Sequence, residues 1–293
     1  MAASSLIHDF AIDIIFSLEE KRENNENVLH VLKSYLEEEN EKIFGEKGTG
    51  ELHFKKLGKI IFPYYSLGNV KSFHHFEYRE LVLFCIYHKL SHRYQKFLDV
   101  GGNLGLHSTI YSNLSNSPIC FYEPDPILFY EANRRFALNG STPGIKAMNI
   151  AISNFDGTSN FVRVLDNTTA SHLQGAREFA YGPLEEFNVE VRSLDSQIVI
   201  GEKTLGKLDI EGSEARALSN VSFQKWDYFD ALVEVTNLSN AKLIFQLAKD
   251  MKLKILSQKI CWEEATEVFD LPHNYREGSI LVTRHITTQE LLH

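Results

Sequence analysis

An α/β architecture is predicted for this chain of 293 residues: a seven-stranded, mostly parallel sheet with helices on both faces, behind a helical N-terminal extension. Three observations carry the prediction. From Tyr94 onward, short apolar runs alternate with amphipathic segments of helical length, the order expected where crossover helices join parallel strands. The first of these runs ends in an acid and turns through glycines into a helix, at Phe97-Leu-Asp-Val-Gly-Gly-Asn-Leu-Gly-Leu-His107. Ahead of Ser66 the spacing is helical instead, so residues 1–66 are expected as an N-terminal helical extension and 67–293 as the α/β domain.

Taken in order, Leu6, Phe10, Ile14 and Leu18, then Val28, Val31, Leu32, Tyr35 and Leu36, predict two amphipathic helices joined by the polar run Lys21-Arg-Glu-Asn-Asn-Glu-Asn. Gly45 to Gly50 reads as a loop, Lys59 to Ser66 as a short strand stopped by Pro63, and Phe76 to Leu90 as a helix. The seven strands are expected at Lys96–Val100, Ile119–Tyr122, Ile145–Ile150, Leu205–Ile210, Ala231–Val235, Lys252–Leu256 and Ser279–Val282. Helices are expected at Leu104–Leu114, Ile127–Leu138, Ser213–Asn220 and Asn240–Met251. Ser159–Leu165 and Val189–Leu194 read as two inserted strands, separated by the polar segment Asp166–Glu186.

The formal charge is −9, and residues 1–50 carry −6 of it. A chain of that sign does not grip nucleic-acid phosphates by net electrostatics, so no nucleic-acid partner is expected. No apolar run approaches the ~20 residues of a membrane span, and Met1-Ala-Ala-Ser-Ser lacks the basic start of a signal peptide. A cytoplasmic protein without membrane contact is expected. The three cysteines form no Cys-x-x-Cys pair, and no Glu follows His88 to complete a zinc-helix motif with His92, so no metal site is expected there.

The chemistry should sit where the strands end, because ligands of doubly wound sheets lie over the carboxyl ends of the strands. Gly101 and Gly102 are expected to let the backbone approach a ligand, and Gly105 to let the helix pack on the strand. A dinucleotide fingerprint begun at Gly101 would need glycines at Asn103 and Leu106, and a phosphate-binding loop would need a lysine where none stands between Leu98 and Pro118. The remaining reading is a phosphate-free, cationic nucleoside beside Asp99. In Cys120-Phe-Tyr-Glu-Pro-Asp-Pro126, Glu123 lies at the second strand's end, where an acid accepts from ribose hydroxyls, and Pro124 and Pro126 stop the strand and start the helix. In Lys207-Leu-Asp-Ile-Glu-Gly-Ser-Glu214, Asp209 and Glu211 alternate with apolar residues and are expected on one side of an extended segment. Either both bind a metal, or one faces a cofactor's positive groups while Glu211 or Glu214 caps the helix starting near Ser213.

These residues resemble the FkbM-type methyltransferases of the class I S-adenosylmethionine-dependent superfamily. The resemblance runs from about Phe76 to Arg284 through Leu98-Asp-Val-Gly-Gly-Asn-Leu-Gly, Tyr122-Glu-Pro-Asp-Pro, Asn149-Ile-Ala-Ile-Ser-Asn, Val191-Arg-Ser-Leu-Asp, Lys207-Leu-Asp-Ile-Glu-Gly-Ser-Glu and Val233-Glu-Val. Asn103 is usual there, whereas Gly102 stands where alanine is common and His107 where an aromatic residue is frequent. The resemblance implies a Rossmann-like fold and methyl transfer from S-adenosylmethionine, mostly to oxygen, on sugars, polyketides or other small molecules. It implies a cofactor site of Asp99, Gly101, Gly102, Asn103 and Gly105 at the methionine end, Glu123 and Pro124 at the ribose, Ala151 and Ser153 at the adenine edge, and Asp209 near the ammonium and sulfonium.

An alcohol acceptor must lose its proton, so a base is needed within hydrogen-bond reach. His107, Glu211, Glu234 and His172 are the candidates. Asp166–Glu186, with Thr168, Thr169, Ser171, Tyr181 and a Gly182-Pro183 turn, is the expected substrate-contacting lid. Tyr64, Tyr65, Phe73 and Phe76 either line the acceptor pocket or pack in the core. The expected partner is a small-molecule acceptor, with self-association through the N-terminal helices. Two other classes stay open: a metal-assisted or nitrogen-methylating relative, and a non-catalytic binding module that keeps the fold.

Overall fold

The computed structural model describes residues 8–15, 17, 26–176, 182–274 and 276–292. Helix α1 covers 8–15 and α2 Glu26–Phe44. Next come β1 (Glu51–Phe54), β2 (Gly58–Ile61), the short pair β3 (Ser66–Leu67) and β4 (Val70–Lys71), a 3-10 turn over Ser72–Phe76 and α3 (Tyr78–Leu90). The chain continues through β5 (Lys96–Val100), α4 (Leu106–Leu114), β6 (Ile119–Tyr122), α5 (Pro126–Asn139), β7 (Ile145–Met148), β8 (Ala151–Ser153), β9 (Gly157–Val164), β10 (His172–Leu173) and β11 (Leu184–Ser193). It ends with α6 (Leu194–Gln197), β12 (Thr204–Leu208), α7 (Glu214–Ser219), β13 (Phe229–Glu234), α8 (Leu238–Met251), β14 (Lys254–Ser257), β15 (Glu263–Glu264), β16 (Ser279–Thr283) and α9 (Thr288–Leu292).

The large sheet runs β15-β14-β16-β13-β12-β5-β6-β7. β13, β12, β5, β6 and β7 are parallel, and β16 is inserted antiparallel between β13 and β14, so that β14 runs in the direction of the parallel strands. All seven expected strands are in it, with the two-residue β15 added at the edge. Side chains alternate between two apolar layers as the strand repeat requires. Phe97, Phe121, Leu205, Leu232 and Leu281 face a core shared with α3, α4 and α5, whereas Leu98, Val100, Ala231, Val233 and Val282 face α7 and α8. Both faces are therefore covered, the condition under which parallel strands persist.

The described residues between 8 and 66 join the first of these cores through Ile12, Ile15, Leu36, Phe44, Leu52, Phe54 and Ile60. The β1–β2 hairpin inside this segment corrects the expectation of a loop followed by one strand. β2 does end ahead of Pro63, and β1 pairs with it because Leu52 and Phe54 alternate inward. Phe10, Val31 and Tyr35 remain exposed on α1 and α2, the surface to which the self-association expectation refers. Among the described residues no helix is long and apolar enough to cross a membrane.

Two other expected strands end early. The run Ile145–Ile150 stops at Met148, because Asn149 Nδ2 donates to the carbonyls of Glu123 (2.8 Å) and Pro124 (3.0 Å) and turns the chain away. Ala151 then opens β8, in a separate sheet of order β10-β9-β11-β8. The inserted strands are longer than expected, with β9 and β11 antiparallel along their length. The run Leu205–Ile210 stops at Leu208, and Glu211 (φ 55°) and Gly212 (φ 102°) form a left-handed turn. Asp209 and Glu211 therefore do not share one side of an extended segment.

Candidate functional site

β5 is the reversal point of the large sheet: the chain proceeds outward on one side through β6 and β7, then returns to lay β12 and β13 on the other. Such a point leaves a crevice beyond the strand ends. A cleft of about 1460 Å³ opens there, walled by the turn after β5, the tips of β6, β12 and β13, the β9–β10 segment and the 3-10 turn before α3.

The glycine turn is shaped mainly by its own protein neighbours. The Gly101 and Gly102 N–H groups both donate to the Tyr122 carbonyl at 3.0 Å. A Cβ on Gly101 would lie 1.9 Å from the Asp209 carbonyl oxygen, and one on Gly102 2.1 Å from the Phe121 ring. Gly105 (φ 79°) meets the Phe136 ring, as helix-on-strand packing requires. Gly101, Gly102, Asn103 and His107 line the cleft, but Gly105 and Asp99 are not on its wall. Asp99 is fully buried beneath the turn, where Oδ2 accepts from the N–H (3.0 Å) and hydroxyl (2.7 Å) of Ser108 and so caps the first turn of α4. Its Oδ1 is buried without a partner among the described residues, so the expected ligand-side acid stands beneath the glycine turn rather than on the cleft wall.

At the β6 tip, Glu123 lines the cleft and is held by the backbone. Its Oε2 accepts from the Asn103 N–H and its Oε1 from the Asp125 N–H, each at 2.8 Å. Asn103 takes a left-handed φ of 50°, a conformation that favours asparagine among residues with a side chain. Burial, helped by the charges of Asp125 and Asp99, pushes the Glu123 carboxyl up to about 8 against the two N–H bonds. Pro124, Ala151, Ile150 and Ile152 complete this end, while Ser153 is buried away from it.

The β12 and β13 tips carry charge held by side chains. Lys207 Nζ lies 3.0 Å from Asp209 Oδ2, and Asp209 Oδ1 is buried with no donor among the described residues. Burial raises the Asp209 carboxyl, but Lys207 and a hydrogen bond with Glu234 outweigh it and hold the group below its usual range. Glu234 is driven well above the carboxylate range, by burial first and then by the charges of Asp209, Glu211 and Glu80. Glu80, from α3, lies 3.0 Å from His107 Nε2, and Tyr87 Oη lies 2.9 Å from His107 Nδ1. Burial of Glu80 is outweighed by His107, so its carboxyl too is lowered.

Glu214 takes the supporting role left open between it and Glu211. It is fully buried and accepts from the N–H groups of Ile210 (2.8 Å) and Gly212, fixing the turn that presents Glu211. Lys207 supplies the cation for Asp209, and among the described residues no group of three His, Cys, Asp or Glu is arranged to hold a metal ion.

His172 is buried on β10 and lines the cleft, with Nδ1 2.9 Å from the Ala170 carbonyl. Asn167 to Ala176 of the expected lid form one wall, and Tyr181 lies outside the described residues. Tyr64, Tyr65, Phe73 and Phe76 are not on the wall; Phe76 stacks on Phe44 in the core with ring centroids 3.7 Å apart. Sequence reasoning missed Glu80 and His75, which line the cleft. His75 Nε2 is buried without a partner among the described residues, and burial lowers that imidazole to about 4. The signal for Glu80 was available: it is the one acid in a helix whose next seven residues, Leu81 to Tyr87, are all buried.

The chain matches no protein-family profile and no curated protein. Solved structures to which it is similar include the methyltransferase FkbM from Methylobacillus flagellatus KT, at 15% identity over 64% of this chain and 43% of that one, with a TM-score of 0.39. The chain thus spans less than half the length of that protein. It is also similar to precorrin-6y C5,15-methyltransferase from Geobacter metallireducens GS-15, at 11% identity over 60% of this chain and 72% of that one, TM-score 0.35. A third is the StiE O-MT structure of residues 961–1257, at 10% identity over 73% of this chain and 79% of that one, TM-score 0.36.

Proposed function

We propose that the chain is an S-adenosylmethionine-dependent methyltransferase acting on a hydroxyl of a small molecule. The observation that carries this reading is the pair of acidic positions flanking the sheet's reversal point: backbone-held Glu123 beside the glycine turn, and Asp209, which stands with Glu234 and Glu211 around the single lysine Lys207. The first suits two ribose hydroxyls, and the second suits a positively charged group. A phosphate would meet the wrong sign, because the lysine at these tips is already committed to Asp209. S-adenosylmethionine fits this set, and when bound it supplies an electrophilic methyl group on a sulfonium.

The chain's own tasks are to orient the acceptor oxygen, exclude water and receive a proton. Both ring nitrogens of His107 are engaged, so the acceptor's proton passes to Glu80, which lines the cleft, while His107 and Tyr87 fix its position. Calorimetry with S-adenosylmethionine, followed by assay of S-adenosylhomocysteine release with a panel of hydroxylated acceptors, tests the reading. Binding with turnover is expected, unaffected by a chelator. Binding without release from any acceptor would favour the non-catalytic module, and absence of binding would overturn the assignment.

A further inference from the structure

We infer that Asp209 and Glu234 form a carboxyl pair that keeps one proton between them and gives it up when a cationic ligand enters the cleft, so that cofactor binding releases a proton. The identity of the cation rests on the function proposed above.

The geometry begins with register. Leu208 of β12 lies opposite Val233 of the parallel neighbour β13, so the next residues, Asp209 and Glu234, stand side by side at adjacent tips. Both line the cleft, and both line a void of about 20 Å³ behind it together with Arg79, Glu80 and Lys207. Side by side at the mouth of this void, the two carboxyls act on each other directly. Two ionised carboxylates are acceptors only, so the contact requires that one carry a proton.

The surrounding charges act in the same direction, and His75, whose imidazole burial lowers to about 4, adds no positive charge near pH 7. Lys207 from β12 is 3.0 Å from Asp209 Oδ2 and answers one negative charge. Glu211 from the turn after β12 and Glu80 from α3 add negative charge toward Glu234. Glu80 lies 3.0 Å from His107 Nε2 on α4, and Arg79 from α3 lies 3.3 Å from Glu77. The burial of Glu234 works in the same direction. An ammonium or sulfonium placed at these tips supplies the second positive charge; the Glu234 O–H bond then breaks, its electron pair stays on the carboxylate, and the proton goes to solvent.

The test is calorimetry of S-adenosylmethionine binding to the full chain near pH 7 in buffers of different ionisation enthalpy. Wild type should release about one proton through this pair, and its affinity should rise with pH below neutrality, toward tenfold per pH unit for one linked proton. The isosteric Glu234→Gln variant should release about one proton fewer and lose that share of the pH dependence. Glu123 could also release a proton, but it would do so equally in the variant. A ligand amine held by carboxylates would instead take protons up. Should Glu234→Gln not fold, Asp209→Asn must show the same loss. Binding to wild type without proton release, or equal release by wild type and variant, overturns the proposal. A wild type that does not bind S-adenosylmethionine removes the functional reading and this inference together.

Discussion

The tip of β6 and the tips of β12 and β13 both present carboxylates to one cleft, yet they hold them by different means. Glu123 is fixed by two backbone N–H groups, from Asn103 and Asp125, within one pair of neighbouring strands. Asp209 and Glu234 are surrounded by side chains: Lys207, Glu80 and, behind Glu80, His107. A backbone donor survives every substitution except proline, whereas a side-chain cation is lost with its side chain. The first arrangement should therefore tolerate mutation of its surroundings and the second should not.

Lys207→Met should give the largest effect. Taking the one partner from a buried ion pair leaves uncompensated charge, which costs about 3–5 kcal/mol. Urea unfolding at pH 7 should show that loss, and the deficit should shrink as the pH falls and the exposed imbalance is relieved by protonation. A loss under 1 kcal/mol would mean that water or relaxation replaces the lysine, and the contrast between the two tips would disappear.

Glu123→Gln should come next. Loss of the carboxyl acceptor should weaken S-adenosylmethionine binding by roughly 10- to 100-fold, the equivalent of about 1.5–3 kcal/mol, read by calorimetry. The ligand-free protein gives a second reading. The folded carboxyl, pushed up to about 8, binds a proton between pH 4.5 and 8 that the unfolded chain has lost. Stability must therefore fall as pH rises through that window. Glu214, pushed up to about 7, adds the same sign over a narrower span. The glutamine variant should flatten part of this slope; an unchanged slope would assign it elsewhere.

The same contrast explains what could be read in the sequence. The α/β order, the seven strands and Glu123 were legible, because period-two apolar runs and acids at strand ends are local signals. The cluster around Asp209 was only half legible. Asp209 and Glu234 stand at strand ends, but Glu80 lies 129 positions before Asp209 in a helix that otherwise reads as core. The turn at Glu211 is not legible in the sequence because its geometry is set by the buried Glu214 carboxylate, a contact no spacing rule reveals. The break after Met148 depends in the same way on Asn149 reaching back to β6.

Gly102→Ala separates backbone shape from ligand approach. The added methyl would lie 2.1 Å from a Phe121 ring that is itself fully buried and packed edge-on against Phe136. Overpacking of this kind costs about 1–3 kcal/mol. Thermal unfolding should show it, and Phe121→Leu in the same chain should restore part of the loss by making room. If the single variant keeps its stability but loses S-adenosylmethionine binding, the glycine serves ligand approach after all.

Asp99→Ala should have the smallest effect of the four, although the sequence alone made Asp99 the floor of the ligand site. Its Oδ2 accepts two hydrogen bonds from Ser108, and the side chain is not on the cleft wall. Removing such a cap costs about 1–2 kcal/mol of stability. The loss should therefore register in urea unfolding, while the affinity for S-adenosylmethionine changes less than in Glu123→Gln. Ser108→Ala removes only the hydroxyl contact and should give a fraction of the same loss. If Asp99→Ala instead abolishes ligand binding in a protein of unchanged stability, the carboxylate reaches the ligand, and the distinction between backbone-held and side-chain-held tips must be redrawn to include a third group beneath them.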